Sequence, residues 1–177
     1  CYELHQPPLL GSLVKTRDGE VEIYGVVRQA TTAPIEPGRL PLARGQEMEK
    51  EEDIFLSHPQ LSLLLRTQFV ALVVGHSQGQ GVLHHLPPRP ARIHSFVSTC
   101  AEAEVTVFSQ SLDFLSLLLN PLLPGGDEVI IACLNQMAQV RDDKHGFLLQ
   151  AGRELARFLV GQSSRFQVML RGLDAGG

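Results

Sequence analysis

The spacing of apolar residues in this chain follows a period of two near its start and a helical period over its second half. Residues 12–16 (SLVKT) and 21–29 (VEIYGVVRQ) are rich in β-branched side chains and are joined through Arg17-Asp18-Gly19-Glu20. Glycine adopts positive φ without a Cβ clash, so an Asp-Gly step between two such runs predicts a tight hairpin. In the second run Val21, Ile23, Gly25 and Val27 alternate with Glu22, Tyr24, Val26 and Arg28. The first set is expected to face a core and the second to be wetter, since successive strand residues point to opposite faces. A loop at 33–38 then leads to a short run at 39–43 whose Pro41 marks it as an edge strand.

Beyond residue 45 the pattern is mixed. The acidic stretch Glu47 to Asp53 lacks the glycine-punctuated spacing of an oxygen-ligand loop, so it reads as a solvated linker or helix start. Ser57 with Pro59 and Gln60 resembles a helix cap opening a short helix with Leu61, Leu64 and Leu65 on one side. Phe69–Val74 is a continuous apolar strand, with residues 82–86 as its hairpin partner and Pro87, Pro88 and Pro90 ending it. From residue 101 the spacing becomes helical: Val105, Phe108, Leu112, Leu115 and Leu119 form one stripe. Ile130, Leu134, Met137 and Ala138 form a second, opened by Gly126-Asp127. Leu148, Ala151, Leu155 and Leu159 form a third, and Phe166, Met169, Leu170 and Leu173 a fourth that Ser163 or Ser164 caps.

The expected fold is therefore α+β: a small N-terminal antiparallel β-barrel (1–45), a helix and β-hairpin connector packed with it (46–100), and an all-helical bundle of about four helices (101–177). The chain begins at Cys1 in a segment that reads neither as a signal peptide nor as a free terminus, so further N-terminal residues, with the barrel's first strand, are expected upstream.

Composition narrows the function classes. A net charge of −4 and a pI near 6.0 disfavour a protein built to wrap nucleic acid. Cys1, Cys100 and Cys133 are odd in number and far apart, with no C-x-x-C pair, so neither a disulfide framework nor a thiolate zinc site is signalled. A reducing, cytoplasmic setting is the reading that follows. No apolar run approaches the roughly 20 residues a bilayer requires, so membrane insertion is not expected. No G-x-x-x-x-G-K-[ST] or G-x-G-x-x-G occurs, and no cofactor is expected.

One motif resembles an enzyme's. Gly75-His76-Ser77-Gln78-Gly79 matches G-x-S-x-G after an apolar strand, and Asp127 and His145 follow in hydrolase order. A nucleophile elbow must pass straight into a helix, whereas residues 80–90 carry Gly81, a β-type stretch and three prolines. A hairpin turn is the expected outcome, with a serine hydrolase using Ser77, His145 and Asp127 as the alternative. His76, His84, His85 and His94 suggest a metal, but adjacent strand histidines point to opposite faces, and no nearby pair has i, i+4 spacing. No metal site is expected. Arg153, Arg157, Arg165 and Arg171 face a single acid, Glu154, in the last two stripes. They read as a solvated face or as a contact for a partner or nucleic acid, the latter weak and salt-sensitive at most.

Gly11-Ser12-Leu13-Val14-Lys15 and Glu22-Ile23-Tyr24-Gly25-Val26-Val27 resemble the HAS-barrel family, the N-terminal barrel of HerA-type DNA translocases and of rotary ATP synthase α and β subunits. The longer pattern, through Ser57–Leu61, Leu65–Thr67, Leu86–Pro88 and Arg92–Val97, is similar to uncharacterised cyanobacterial HAS-barrel proteins without a motor domain. The resemblance implies an assembly collar, with barrels packing on one another and partners docking on them, and carries no catalytic residue. A non-catalytic interaction module with a protein partner, or a homo-oligomer, follows as the leading expectation. Tyr24, Val26 and Arg28 on the wetter strand face, with Arg153 and Arg157, are the candidate contact residues.

Overall fold

A computed structural model of the chain describes residues 6–36, 50–77, 79, 81–120 and 125–174. The Asp-Gly step does form a hairpin. β1 (Leu13–Asp18) pairs antiparallel with β2 (Val21–Pro34) in the register Leu13↔Val26 through Asp18↔Val21. Gly19 at φ +63° is the only one of the two connecting residues with positive φ, which places glycine at the first central position of the turn, as in a II′ connection.

α1 (Glu51–Ser57) and α2 (Leu61–Leu64) follow, so Ser57 closes a helix instead of opening one. The N-cap of α2 is Gln60, with no side-chain cap, and Leu65 already belongs to β3 (Leu65–Ser77). β4 (Val82–Leu83) returns antiparallel on β3, pairing Ser77↔Val82 and His76↔Leu83, and β5 (Ser98–Thr99) pairs antiparallel with β1. Among the described residues the strands form an open sheet in the order β4-β3-β2-β1-β5. The expected edge strand at 39–43 lies outside the described residues.

The rest is helical: α3 (Glu102–Phe108), α4 (Leu115–Leu118), α5 (Gly126–Gln139), α6 (Lys144–Phe158) and α7 (Ser163–Asp174). The stripe expected as one helix over 105–119 is two short helices broken at Ser109–Phe114, although Phe108, Leu112 and Leu115 are all buried as the spacing requires. Glu104 caps α3 by accepting from the Ala101 N–H at 2.9 Å, half of a capping box that alanine cannot complete. At its other end Arg141 donates to the Ser109 carbonyl at 3.1 Å and lies 4.3 Å over the Phe147 ring, tying α3 to the α5–α6 connection. Asp143 caps α6 by accepting from the Gly146 N–H.

By packing the chain divides into two compact units, Cys1–Pro8 with Gln29–Val70, and Leu9–Arg28 with Ala71–Gly177. In the first, Thr32 and Thr67 share a hydroxyl hydrogen bond at 2.7 Å and the Ile35 N–H donates to the Leu64 carbonyl. The second holds the main core, where Leu13, Tyr24, Val26 and Val74 of the sheet pack with Phe108, Phe114 and the inner faces of α4 to α7. Ser12 donates to Gln136 at 2.9 Å, so the start of β1 is tied to α5.

The alternation expected in β2 does not separate dry from wet. Tyr24 and Val26 are 6% and 0% exposed, and Ile23 and Val27 on the opposite face are 2% and 1%. Both faces are covered there, so the residues assigned to the wetter side are core, and only Arg28 of that trio keeps partial exposure.

Candidate functional sites: a closed hairpin and an open groove

Ser77 stands at the end of β3, and the chain returns directly as β4. Among the described residues the next element is this strand and not a helix, so Ser77 does not top the strand-to-helix elbow of a hydrolase. Gly75 has a packing reason. A Cβ at that position would lie 2.7 Å from the Leu83 carbonyl oxygen of the paired strand and 3.2 Å from the Phe108 ring. The glycine thus admits the hairpin partner and an aromatic side chain, and Gly79 at φ +73° serves the turn.

Ser77 hydrogen-bonds the Tyr24 phenol, whose pKa burial pushes up and whose hydroxyl donates to Glu22 at 3.1 Å. Glu22 also accepts from Arg17 at 2.8 Å, and that contact holds its carboxyl below the ordinary glutamate range. Lys15 lies 3.9 Å from Glu22 and is ion-paired with Glu104, whose carboxyl it likewise lowers. Cross-strand register explains the cluster: Lys15↔Tyr24 and Arg17↔Glu22 are direct partners, so their side chains share one face. Every member of the network is spent on another member.

The other members of the candidate triad are elsewhere. Asp127, in the first turn of α5, takes a bidentate grip from Arg165 at 2.6–3.0 Å, an ion pair linking α5 to α7. His145 sits in the first turn of α6. The structure therefore places the three on different elements, Ser77 bonded to Tyr24 and Asp127 to Arg165.

His76, His84 and His85 are occupied structurally. His76 is buried with Nδ1 3.1 Å from the His85 carbonyl. The His84 ring packs 4.7 Å from Phe108 with Nε2 3.0 Å from the Phe108 carbonyl, and burial lowers its pKa. Among the described residues no group of three His, Cys, Asp or Glu could hold a metal ion. Cys100 and Cys133 carry free thiols, each pushed up to about 12 by burial, and so are poor nucleophiles near neutral pH. No helix among the described residues is long and apolar enough to cross a membrane.

A different arrangement appears on α6 and α7. Leu148, Gly152 and Ala156 on α6, with Phe166, Leu170 and Leu173 on α7, form the floor of a groove of about 550 Å³. A Cβ on Gly152 would meet Leu170 at 3.3 Å, so the two helices approach closely along this floor. Lys144, His145 and Arg153 stand on its rim. Lys144 contacts Gln139, while Arg153 and His145 have no hydrogen-bond or ion-pair partner among the described residues. Arg157 is different: it grips Glu154 at 2.9–3.0 Å, so of the two arginines singled out from sequence, one belongs to the groove and one is paired beside it.

Sequence reasoning counted Leu148, Phe166 and Leu170 simply as core. The available signal was width, since α7 alone offers five apolar residues within eight positions, more than one packed face consumes. No family model, curated protein or solved structure matches this chain.

Proposed function

We propose that this chain is a non-catalytic interaction module that docks on, or assembles into, a larger complex, with the α6–α7 groove as its contact face. The observation that carries this reading is an apolar trough whose flanking Arg153 and His145 are left without partners, on a surface where every comparable charge of the sheet cluster is paired. Folded chains seldom leave apolar floor and uncompensated charge side by side unless something covers them.

The likeness of Gly11–Lys15 and Glu22–Val27 to HAS barrels points the same way, because in that family the barrel serves assembly. On this reading the antiparallel sheet, open among the described residues, is part of a HAS-type barrel, residues 101–177 are its helical companion, and the protein works in the cytoplasm. Nucleic acid is a minor partner at best. Two of the four C-terminal arginines are committed to Glu154 and Asp127, leaving too few free cations for more than weak, salt-sensitive binding.

The test is affinity capture from the native host alongside light scattering, using the wild type and Ala156→Arg. Ala156 is exposed in the groove, so the arginine blocks it without entering the core. A partner or self-assembly that depends on an open groove is the expected result. A strict monomer that retrieves nothing would overturn the reading.

A further inference from the structure

Resting on the interaction reading above, we infer that the α6–α7 groove receives an acidic amphipathic helix of a partner protein. Shape comes first. The α6 floor residues Leu148, Gly152 and Ala156 are spaced i, i+4, i+8, and Phe166 and Leu170 repeat the spacing on α7. Such rows leave a furrow into which the side-chain ridge of a third helix fits. The lining runs from Lys144 to Ala156 along α6, about 18 Å at 1.5 Å per residue, enough for about twelve residues of a partner helix.

Charge then selects the occupant. The first turn of α6 holds no acidic residue, although negative charge is what the positive end of a helix dipole favours. Lys144, with His145 beside it, occupies that turn instead; of the two carboxylates that precede it, Asp143 is engaged in capping the Gly146 N–H and Asp142 lies outside the helix. Arg153 repeats the positive sign two turns further along, unpaired. A helix with leucine-type residues on one face and glutamates flanking them would cover the floor and compensate both the rim cations and the dipole. A nucleic-acid backbone would answer the charge but leave the apolar floor wet.

The experiment is a fluorescence-anisotropy titration with a labelled synthetic helix of about twelve residues, leucines at i, i+3, i+4 and i+7 and glutamates elsewhere. A control peptide carries glutamines in place of the glutamates. The acidic peptide is expected to bind more tightly at low than at high salt. Arg153→Glu should weaken it about tenfold, Ala156→Arg should abolish it, and Arg157→Gln, at the paired arginine, should leave it unchanged. If the glutamine peptide binds as tightly and Ala156→Arg still blocks it, the groove docks helices but the acidic occupant is wrong, and the interaction reading survives. If neither peptide binds the folded wild type, the inference falls, while the capture experiment still judges the interaction reading separately. Self-association that Ala156→Arg removes would assign the groove to a second copy and overturn the inference.

Discussion

The paired end of the β3–β4 hairpin, His76–Leu83, and the α6–α7 groove lie in the same compact unit and use their polar groups in opposite ways. Around the hairpin, Ser77, Tyr24, Glu22, Arg17, Lys15 and Glu104 form a chain of mutual contacts, and His76 and His84 bond to backbone carbonyls. Along the groove, Arg153 and His145 have no partner among the described residues, beside half-buried leucines and a phenylalanine. The region with chemically suggestive letters is closed upon itself, and the region without a motif presents an incomplete surface. A side chain that already has its partners contributes to stability; one that lacks them is available to a ligand.

That contrast can be broken by substitution, beginning where the effect is largest. Phe108→Ala should destabilise by about 3–5 kcal/mol, because its ring is fully buried 5.1 Å from Tyr24 and 5.2 Å from Phe114. A chemical-denaturation midpoint near the wild type would contradict the closed core. Gly75→Ala should cost about 1–3 kcal/mol through overpacking, since the new Cβ meets a backbone oxygen. Were the space around Gly75 open, the change would stay within about 0.5 kcal/mol, that of an ordinary surface substitution.

Tyr24→Phe removes a hydroxyl that serves both Glu22 and Ser77, with an expected loss of about 1 kcal/mol. In the same series Ser77→Ala should melt close to wild type, and a fluorophosphonate probe should not label the wild-type protein; labelling lost in Ser77→Ala would restore the hydrolase alternative.

Acid should act in two steps. Burial holds the His84 pKa below its ordinary value, so below about pH 6.5 the unfolded chain takes the proton first and stability falls with pH. Glu22 and Glu104, lowered by Arg17 and Lys15, add to the loss only once the pH drops below the usual glutamate range. In His84→Asn the upper step should vanish and the lower one remain, as read from melting temperature against pH. The smallest effect is expected in the groove: Arg153→Glu should stay within about 0.5 kcal/mol of wild type, because no contact inside the chain is lost.

Local pattern sufficed for several elements. Gly19 of the Asp-Gly step specified the β1–β2 connection, since turn chemistry is carried locally by the residue that must adopt positive φ. The apolar stripes at Ile130–Ala138, Leu148–Leu159 and Phe166–Leu173 located α5, α6 and α7, because one packed face is enough to impose a 3.6-residue period, although Val129, Cys133, Phe147 and Gly152 are buried too and Leu148, Phe166 and Leu170 only half so. The prolines and Gly81 after Ser77 were sufficient to expect a hairpin where the motif suggested an elbow, as β4 bears out.

Other features were decided only by what each segment meets. Tyr24 and Val26 are buried because the sheet is covered on both faces, and alternation carries information only when one face is wet. β5 consists of Ser98 and Thr99, two polar residues whose strand character comes from pairing with Lys15 and Val14. The break between α3 and α4 leaves the core positions of a continuous stripe intact, so periodicity could not reveal it. The groove likewise exists only once α6 and α7 have spent part of their apolar width on α5 and on each other. The sequence determines which residues seek burial and which backbone turns are permitted, through steric and solvation preferences that act residue by residue. Which apolar surface remains uncovered, and which charge remains unpaired, depends on how the elements are used by one another, and only the tertiary structure decides it.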